Sequence, residues 1–177
     1  MSMKTRANNI EKAAEILSKA DAMLITAGAG MGVDSGLPDF RGNAGFWKAY
    51  PAAKKIGASF VEMANPVWFE KEPALAWAFY GHRLLMYRET TPHKGFFQLL
   101  QIAEAKPQGY FVFTSNVDGQ FQKAGFDDMK MYECHGSIHH FQCVKSCTTD
   151  IWSAENDNIV IDEATFRAKL PLPSCRN

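Results

Sequence analysis

The sequence predicts an α/β fold: a parallel sheet with a helical insertion and a small cysteine-bearing module at its end. Three observations predict it. The apolar run Ala22-Met23-Leu24-Ile25-Thr26 empties into Gly28-Ala29-Gly30-Met31-Gly32. A second apolar run, Gly109-Tyr110-Phe111-Val112-Phe113-Thr114, ends in Ser115-Asn116-Val117-Asp118-Gly119. A third segment, Met129-Lys130-Met131-Tyr132-Glu133, turns at Cys134-His135-Gly136-Ser137. Such runs read as buried strands, and glycine or polar residues just past their carboxyl ends lie where open α/β sheets bind ligands.

The elements follow in order. Met1 to Lys19 is charged and reads as an amphipathic helix capped near Asn8 or Asn9, with Ile10, Ala13, Ala14, Ile16 and Leu17 on one side. It lacks the apolar core of a secretion signal. The strand at 22–26 then meets the glycines, whose missing Cβ atoms let backbone N–H groups approach a phosphate. A dehydrogenase fingerprint needs its third glycine one position later than Gly32 and an acid about twenty residues on. A phosphate loop needs a closing Gly-Lys-Ser/Thr. Neither pattern is met, and an ordinary tight turn stays open for the glycines alone. Behind them stands Pro38-Asp39-Phe40-Arg41, an acid, an aromatic and a cation that a plain phosphate cradle does not need.

The middle is helical and aromatic. Residues 46–71 hold Trp47, Tyr50, Phe60, Trp68 and Phe69 between breakers and read as short helices forming a lobe or lid. Helices are predicted over 73–88 and 93–105. The strand ends at 115–118 and 135 would then face one crevice with Asp39 and Arg41. Asn116 and Asp118 share a side if that strand end is extended; their plain alternative is a turn and helix cap. All four cysteines lie in the last quarter. Cys143 and Cys147, followed by the distant Cys175, have the spacing of a structural zinc ribbon whose second pair is incomplete at Asn177. Cys134 reads as a small buried hydrophobe.

Composition bounds the reading. The chain has 177 residues, 46% of them hydrophobic, enough for one domain with a real core. Its formal net charge is zero, so nothing points to nucleic acid or a membrane surface, and no apolar stretch could span a bilayer. A cytoplasmic location is the default expectation.

Taken together, Gly28-Ala29-Gly30, Ser35-Gly36-Leu37-Pro38-Asp39-Phe40-Arg41-Gly42, Thr114-Ser115-Asn116-Val117-Asp118 and His135-Gly136 resemble the sirtuins, NAD-dependent protein lysine deacylases. The resemblance runs from about Ile10 to the end. It implies a Rossmann-like parallel sheet (1–45 and 107–137), an inserted cofactor loop and helical module (46–106) and a partial zinc module (138–177). It also implies that the chain stops about a third short of the catalytic core and is weakly active or inactive alone.

The resemblance assigns roles. Gly28, Ala29, Gly30, Asp39, Phe40, Arg41, Ser115, Asn116 and Asp118 would bind NAD. Asn116 and Asp118 would also assist cleavage of the nicotinamide–ribose bond, and His135 would be the general base. Ordinary alternatives are a surface arginine at Arg41 and a core aromatic at Phe40. Cys143, Cys147 and Cys175 would hold structural zinc, but weakly or not at all in this chain, because the first pair is Cys-x₃-Cys where the family usually has Cys-x₂-Cys and the second pair is incomplete. The partners would be acyl-lysine proteins or peptides. His82, His93, His139 and His140 read as surface or packing residues. Two departures stand out: Gly32 replaces a common Ser or Thr, and Ser115 replaces the usual Gln. Each removes a polar contact near ribose. Tyr80 and Arg83, three apart and so on one helix face, resemble the Tyr-x-x-Arg signature of members that remove succinyl, malonyl or glutaryl groups. Their plain alternative is a half-buried tyrosine beside a solvated arginine. A glycohydrolase or ADP-ribosyl transferase using the same crevice, or a non-catalytic nucleotide-binding module, are the competing readings.

Overall fold

The computed structural model describes residues 3–39, 46, 50–51 and 57–176. Helix α1 spans Met3–Lys19. Asn8 and Asn9 lie inside it rather than capping it, because the helix-compatible residues upstream continue the turn. The apolar stripe expected to pack is open to solvent, with Ile10 62% and Ile16 70% exposed. No helix among the described residues is long and apolar enough to cross a membrane.

Three strands, β1 (Met23–Ala27), β2 (Tyr110–Thr114) and β3 (Met131–Glu133), form one parallel sheet in that order. Ala27 pairs with Thr114, and Thr114 with Glu133. The three strands therefore end level, and the turn after each opens at the same edge. Parallel neighbours need long crossovers, which helices supply. Between β1 and β2 run α2 (Phe60–Met63), α3 (Trp68–Lys71), α4 (Pro73–Glu89) and α5 (Lys94–Glu104); α6 (Gln120–Lys123) follows β2. One sheet face is packed: Ile25 and Val112 meet Phe96 of α5 and Phe121 of α6 in one buried cluster. The other face is not, with Leu24 68%, Phe111 42% and Phe113 43% exposed. The apolar runs thus read as more deeply buried than they are, since composition does not reveal which face is covered.

The helical insertion has its own core of Phe46, Tyr50, Met63, Leu75 and Phe79. Ser59 and Glu62 form a reciprocal capping box that starts α2, and Pro73 opens α4, where a missing N–H costs nothing. The last module is two small antiparallel pairs. In one, β4 (His140–Gln142) lies against β5 (Ile151–Ser153); in the other, β6 (Ile161–Asp162) lies against β7 (Arg167–Ala168). It is fastened to α4 by the buried cluster Leu84, Ala154, Ile159 and Ala168. Arg167 adds an ion pair to Glu72 at 2.5 Å.

Candidate active site

Beside the level strand ends lies a cavity of about 1010 Å³, walled also by α4 and the cysteine module. That is the upper end of ordinary ligand pockets, about 300–1,000 Å³. Ala29, Asp39, Ser115, Asn116, Asp118 and His135 all line it. Phe40 and Arg41 lie outside the described residues.

After β1 the chain passes Gly28 and winds into a 3₁₀ turn over Ala29–Ser35. A Cβ added at Gly30 would meet nothing within 4 Å, so this backbone is open to a ligand. At Gly32 a Cβ would lie 3.1 Å from Leu37 Cδ1 and 3.3 Å from its Cβ. Gly32 is therefore matched to a tightly placed Leu37. His93 holds the same turn. Its backbone N–H donates to Ser35 Oγ at 2.9 Å, and its Nδ1 accepts from Gly95 N at 3.0 Å as the N-cap of α5. That leaves Nε2 as the donor to Met31 O at 3.1 Å. His93 packs on Phe96, ring centroids 5.0 Å apart, as the packing reading has it, and is in addition a cap and a clasp; the helix starts one residue later than predicted.

After β2, Thr114 Oγ1 accepts from Asn116 N at 3.0 Å, and Asn116 Nδ2 donates to Gly28 O at 3.1 Å. Asp118 Oδ1 accepts from Gln120 N at 3.0 Å, the turn the plain alternative foresaw. Asn116 and Asp118 are buried yet line the cavity, so the bonds that hold this turn coexist with a place on the cavity wall; the helix cap itself is Gly119, without a side-chain bond. The strand ends at Thr114, so this turn, and not strand alternation, sets their common direction. Burial raises the Asp118 carboxyl above the ordinary range, against the lowering pull of the Gln120 N–H, His139 and Arg83. After β3, His135 stands exposed in a turn closed by Gly136 N–H to Glu133 O at 3.0 Å. Cys134 is half-buried, its N–H bonded to Thr114 O.

On α4, Tyr80 and Arg83 both line the cavity. Tyr80 stacks on Phe69, ring centroids 5.2 Å apart. Arg83 is buried at 8% exposure, which corrects the solvated alternative. Its guanidinium lies 5.4 to 5.5 Å from the rings of Phe60, Phe79 and Tyr87. Its Nε and Nη2 donate to Tyr87 Oη at 3.3 and 3.1 Å. Tyr87 was not among the predicted site residues, and no motif marks it; only its place one turn beyond Arg83 could have done so. Burial pushes the Tyr80 phenol up, with the Arg83 charge pulling it down.

Cys143, Cys147 and Cys175 come together, every sulfur within 4.8 Å of the others. Cys143 and Cys147 are 3.1 Å apart, and Cys147 and Cys175 3.4 Å. Contact with Cys147 lowers the Cys143 thiol to about 7, while contacts with Cys143 and Cys175 raise Cys147 to about 12; either sulfur of each pair can be the donor. Three soft donors in this space fit zinc, whose Zn–S bonds are about 2.3 Å. His82 is half-buried, with Nδ1 3.1 Å from Tyr50 Oη. His139 packs half-buried against Gly119, as the packing reading has it, and also donates to the Asp118 carbonyl; His140 is exposed and lines the cavity.

The model of the Sir2 family matches residues 28–173. The NAD-dependent protein deacetylase of Saccharolobus solfataricus is 36% identical over 136 residues, 76% of this chain and 49% of that protein. The NAD-dependent protein deacylase of Candida albicans is 32% identical over 130 residues, 73% of this chain and 40% of that protein. Among solved structures, a Sir2 homologue mutant in complex with ADP-ribose superposes with TM-score 0.70 and 26% identity, covering 94% of this chain and 58% of that one. A Sir2 homologue–NAD complex, TM-score 0.65 at 23% identity over 89% of this chain and 58% of that one, shares the fold. The chain spans about half the length of the curated relatives it matches.

Proposed function

This chain belongs to the Sir2 family, and on that premise we propose that the protein is an NAD-dependent protein lysine deacylase acting on acyl-lysine proteins or peptides. The observation that carries the reading is the convergence of Ala29, Asn116, Asp118 and His135 on one cavity at the level ends of three parallel strands.

NAD supplies a ribose carbon whose nicotinamide substituent can leave. The backbone at Gly28, Ala29 and Gly30, open at Gly30, receives phosphate oxygens, and Asp39 and Ser115 contact NAD away from the phosphates. Asn116 holds the carboxamide, and the Asp118 carboxylate favours positive charge developing on the ribose. Exposed His135 would take the proton of a ribose hydroxyl, so that the acyl group passes to that oxygen of ADP-ribose while the lysine nitrogen leaves as the free amine, water supplying the hydroxyl at the ribose carbon that nicotinamide vacates. Phe40 and Arg41 complete the NAD contacts on sequence grounds. The cysteine trio holds zinc and keeps the hairpin that closes the cavity in place.

Arg83 gives the cavity an acyl preference. A buried guanidinium oriented by Tyr87, with Tyr80 beside it, suits the terminal carboxylate of a succinyl, malonyl or glutaryl group. The test is nicotinamide release with acetyl-lysine peptide, succinyl-lysine peptide and no peptide. Release that depends on peptide, and is faster with succinyl-lysine, supports both parts. Peptide-independent release points instead to a glycohydrolase or ADP-ribosyl transferase. An Arg83→Met protein that kept the full succinyl preference would remove the acidic-acyl reading and leave deacylation intact.

A further inference from the structure

Asp118 precedes a residue that gives its peptide no restraint. Gly119 sits in the left-handed region at φ 69° and has no Cβ, so sterics alone allow the 118–119 peptide to rotate. The Gln120 N–H bond to Asp118 Oδ1 spans this peptide from within the turn, and a second hold comes from outside it. Ile138 N–H donates to Val117 O at 3.0 Å. One residue on, His139 Nε2 donates to Asp118 O at 3.0 Å. The imidazole also lies against the glycine: a Cβ at Gly119 would be 2.7 Å from Nε2 and 2.8 Å from Cδ2. The ring occupies the space that a Cβ at residue 119 would need.

His139 is itself fixed from both sides. Its N–H bonds Ser137 Oγ at 3.3 Å, and its carbonyl accepts from Ala154 N at 2.8 Å. Ala154 is fully buried, and its carbonyl, with Asp157 O at 2.8 Å, takes the guanidinium of Arg88 from α4. A line of bonds therefore runs from α4 through the β5 end and His139 to the Asp118 backbone. On the far side of Asp118, its Oδ2 lies 3.7 Å from where a Gly32 Cβ would be, so the carboxylate faces the glycine turn.

We propose that His139 is a positioning residue for Asp118: by gripping the Asp118 carbonyl it fixes the carboxylate against the Gly28–Ser35 turn, where the ribose of NAD is read to bind. The proposal rests on the deacylase reading. The grip needs only an N–H donor at that point. Both the neutral and the protonated imidazole can carry hydrogen on Nε2, and a glutamine amide can reach the same place.

Two substitutions in the intact protein separate grip from bulk. His139→Leu keeps volume but has no donor; His139→Gln keeps a donor. Steady-state nicotinamide release is measured against NAD at saturating acyl-lysine peptide, with melting temperatures as the check on folding. The KM for NAD should rise about tenfold in His139→Leu, the worth of one well-formed hydrogen bond. The KM for peptide should hold, and His139→Gln should return the NAD value close to wild type. Equal NAD KM values in the wild-type, Leu and Gln proteins would overturn the assignment. So would equal impairment in both variants, since that reports packing and not the bond. A wild-type protein that releases no nicotinamide with any acyl peptide overturns the deacylase reading, and the role of His139 falls with it.

Discussion

Asn116 donates from Nδ2 to the Gly28 carbonyl, 3.1 Å away, and so ties the turn after β2 to the turn after β1. The bond exists because Ala27 and Thr114 are register partners, which brings the residues just beyond them side by side. The same side chain that would engage the nicotinamide carboxamide thus also sets the mouth of the phosphate cradle.

Replacing it should therefore be felt twice. Asn116→Ala is expected to lower peptide-dependent nicotinamide release by about 100-fold or more, as loss of a transition-state donor does. It should also destabilise the fold by about 1 kcal/mol through the lost bond. Kinetics and a denaturant melt on the same preparation check both. Loss of stability with full activity would place Asn116 in the scaffold alone.

Asp118 carries the opposite balance. Its carboxyl is raised by burial, so ionisation is harder in the folded chain than in the unfolded one. The protonated form contributes stability that is complete below the unfolded value of about 3.9 and is lost as pH rises through the higher folded value. Near pH 7 the ionised group is a net burden, which Asp118→Asn relieves while still accepting from Gln120 N–H. The variant should melt a few degrees higher at pH 7, on the scale of about 2–4 °C per kcal/mol, and release almost no nicotinamide. The gap in melting temperature should close as pH falls toward 4. A wild-type protein that melts higher at pH 7 would contradict this account.

Gly119 and His139 make a pair whose coupling is measurable. Gly119→Ala meets both an unfavourable φ of 69° and an imidazole 2.7 Å from the new carbon. It should destabilise by about 1–3 kcal/mol. The clash part should vanish when His139→Ala is added, leaving the backbone part. A double-mutant cycle in denaturant should show a coupling well above the roughly 0.5 kcal/mol seen for independent sites. Strict additivity would mean that the ring moves aside freely.

The site was partly legible because its signals are local. Glycines after an apolar run, Asn116-Val117-Asp118 after a second and His135-Gly136 after a third each sit in the residues that form a turn, and the strand register alone brings them level. The helix over 73–88 reads clearly from its length and its opening proline. What stayed hidden depends on contacts between distant elements. His93 reaches back to Met31 and Ser35, and His139 reaches Asp118, through folds of chain that no periodicity encodes. The burial of Arg83 likewise depends on Phe60, which α2 brings over α4. The exposed face of Leu24, Phe111 and Phe113 escaped for the same reason: apolar composition marks what is suited to burial, not what is covered.

The cysteine trio gives the last prediction. Its sulfurs lie 3.1 and 3.4 Å apart in consecutive pairs, somewhat closer than the roughly 3.8 Å edge of a tetrahedron with Zn–S bonds of about 2.3 Å. Small outward shifts would admit the ion. Cys143 ionises more readily than a free thiol, lowered to about 7, whereas Cys147, raised to about 12, must lose its proton to solvent when the metal binds. Binding should therefore release protons and weaken as pH falls. Purified protein is expected to hold about one zinc per chain by metal analysis, and cobalt substitution should give a thiolate charge-transfer band. Cys147→Ser, which removes the sulfur bonded to both others, should lose the band and most of the metal. It should also loosen β4, three residues or fewer from Cys143, and with it His139. If zinc content survived Cys147→Ser unchanged, the metal would sit elsewhere, and the closeness of the three sulfurs would reflect thiol hydrogen bonding alone.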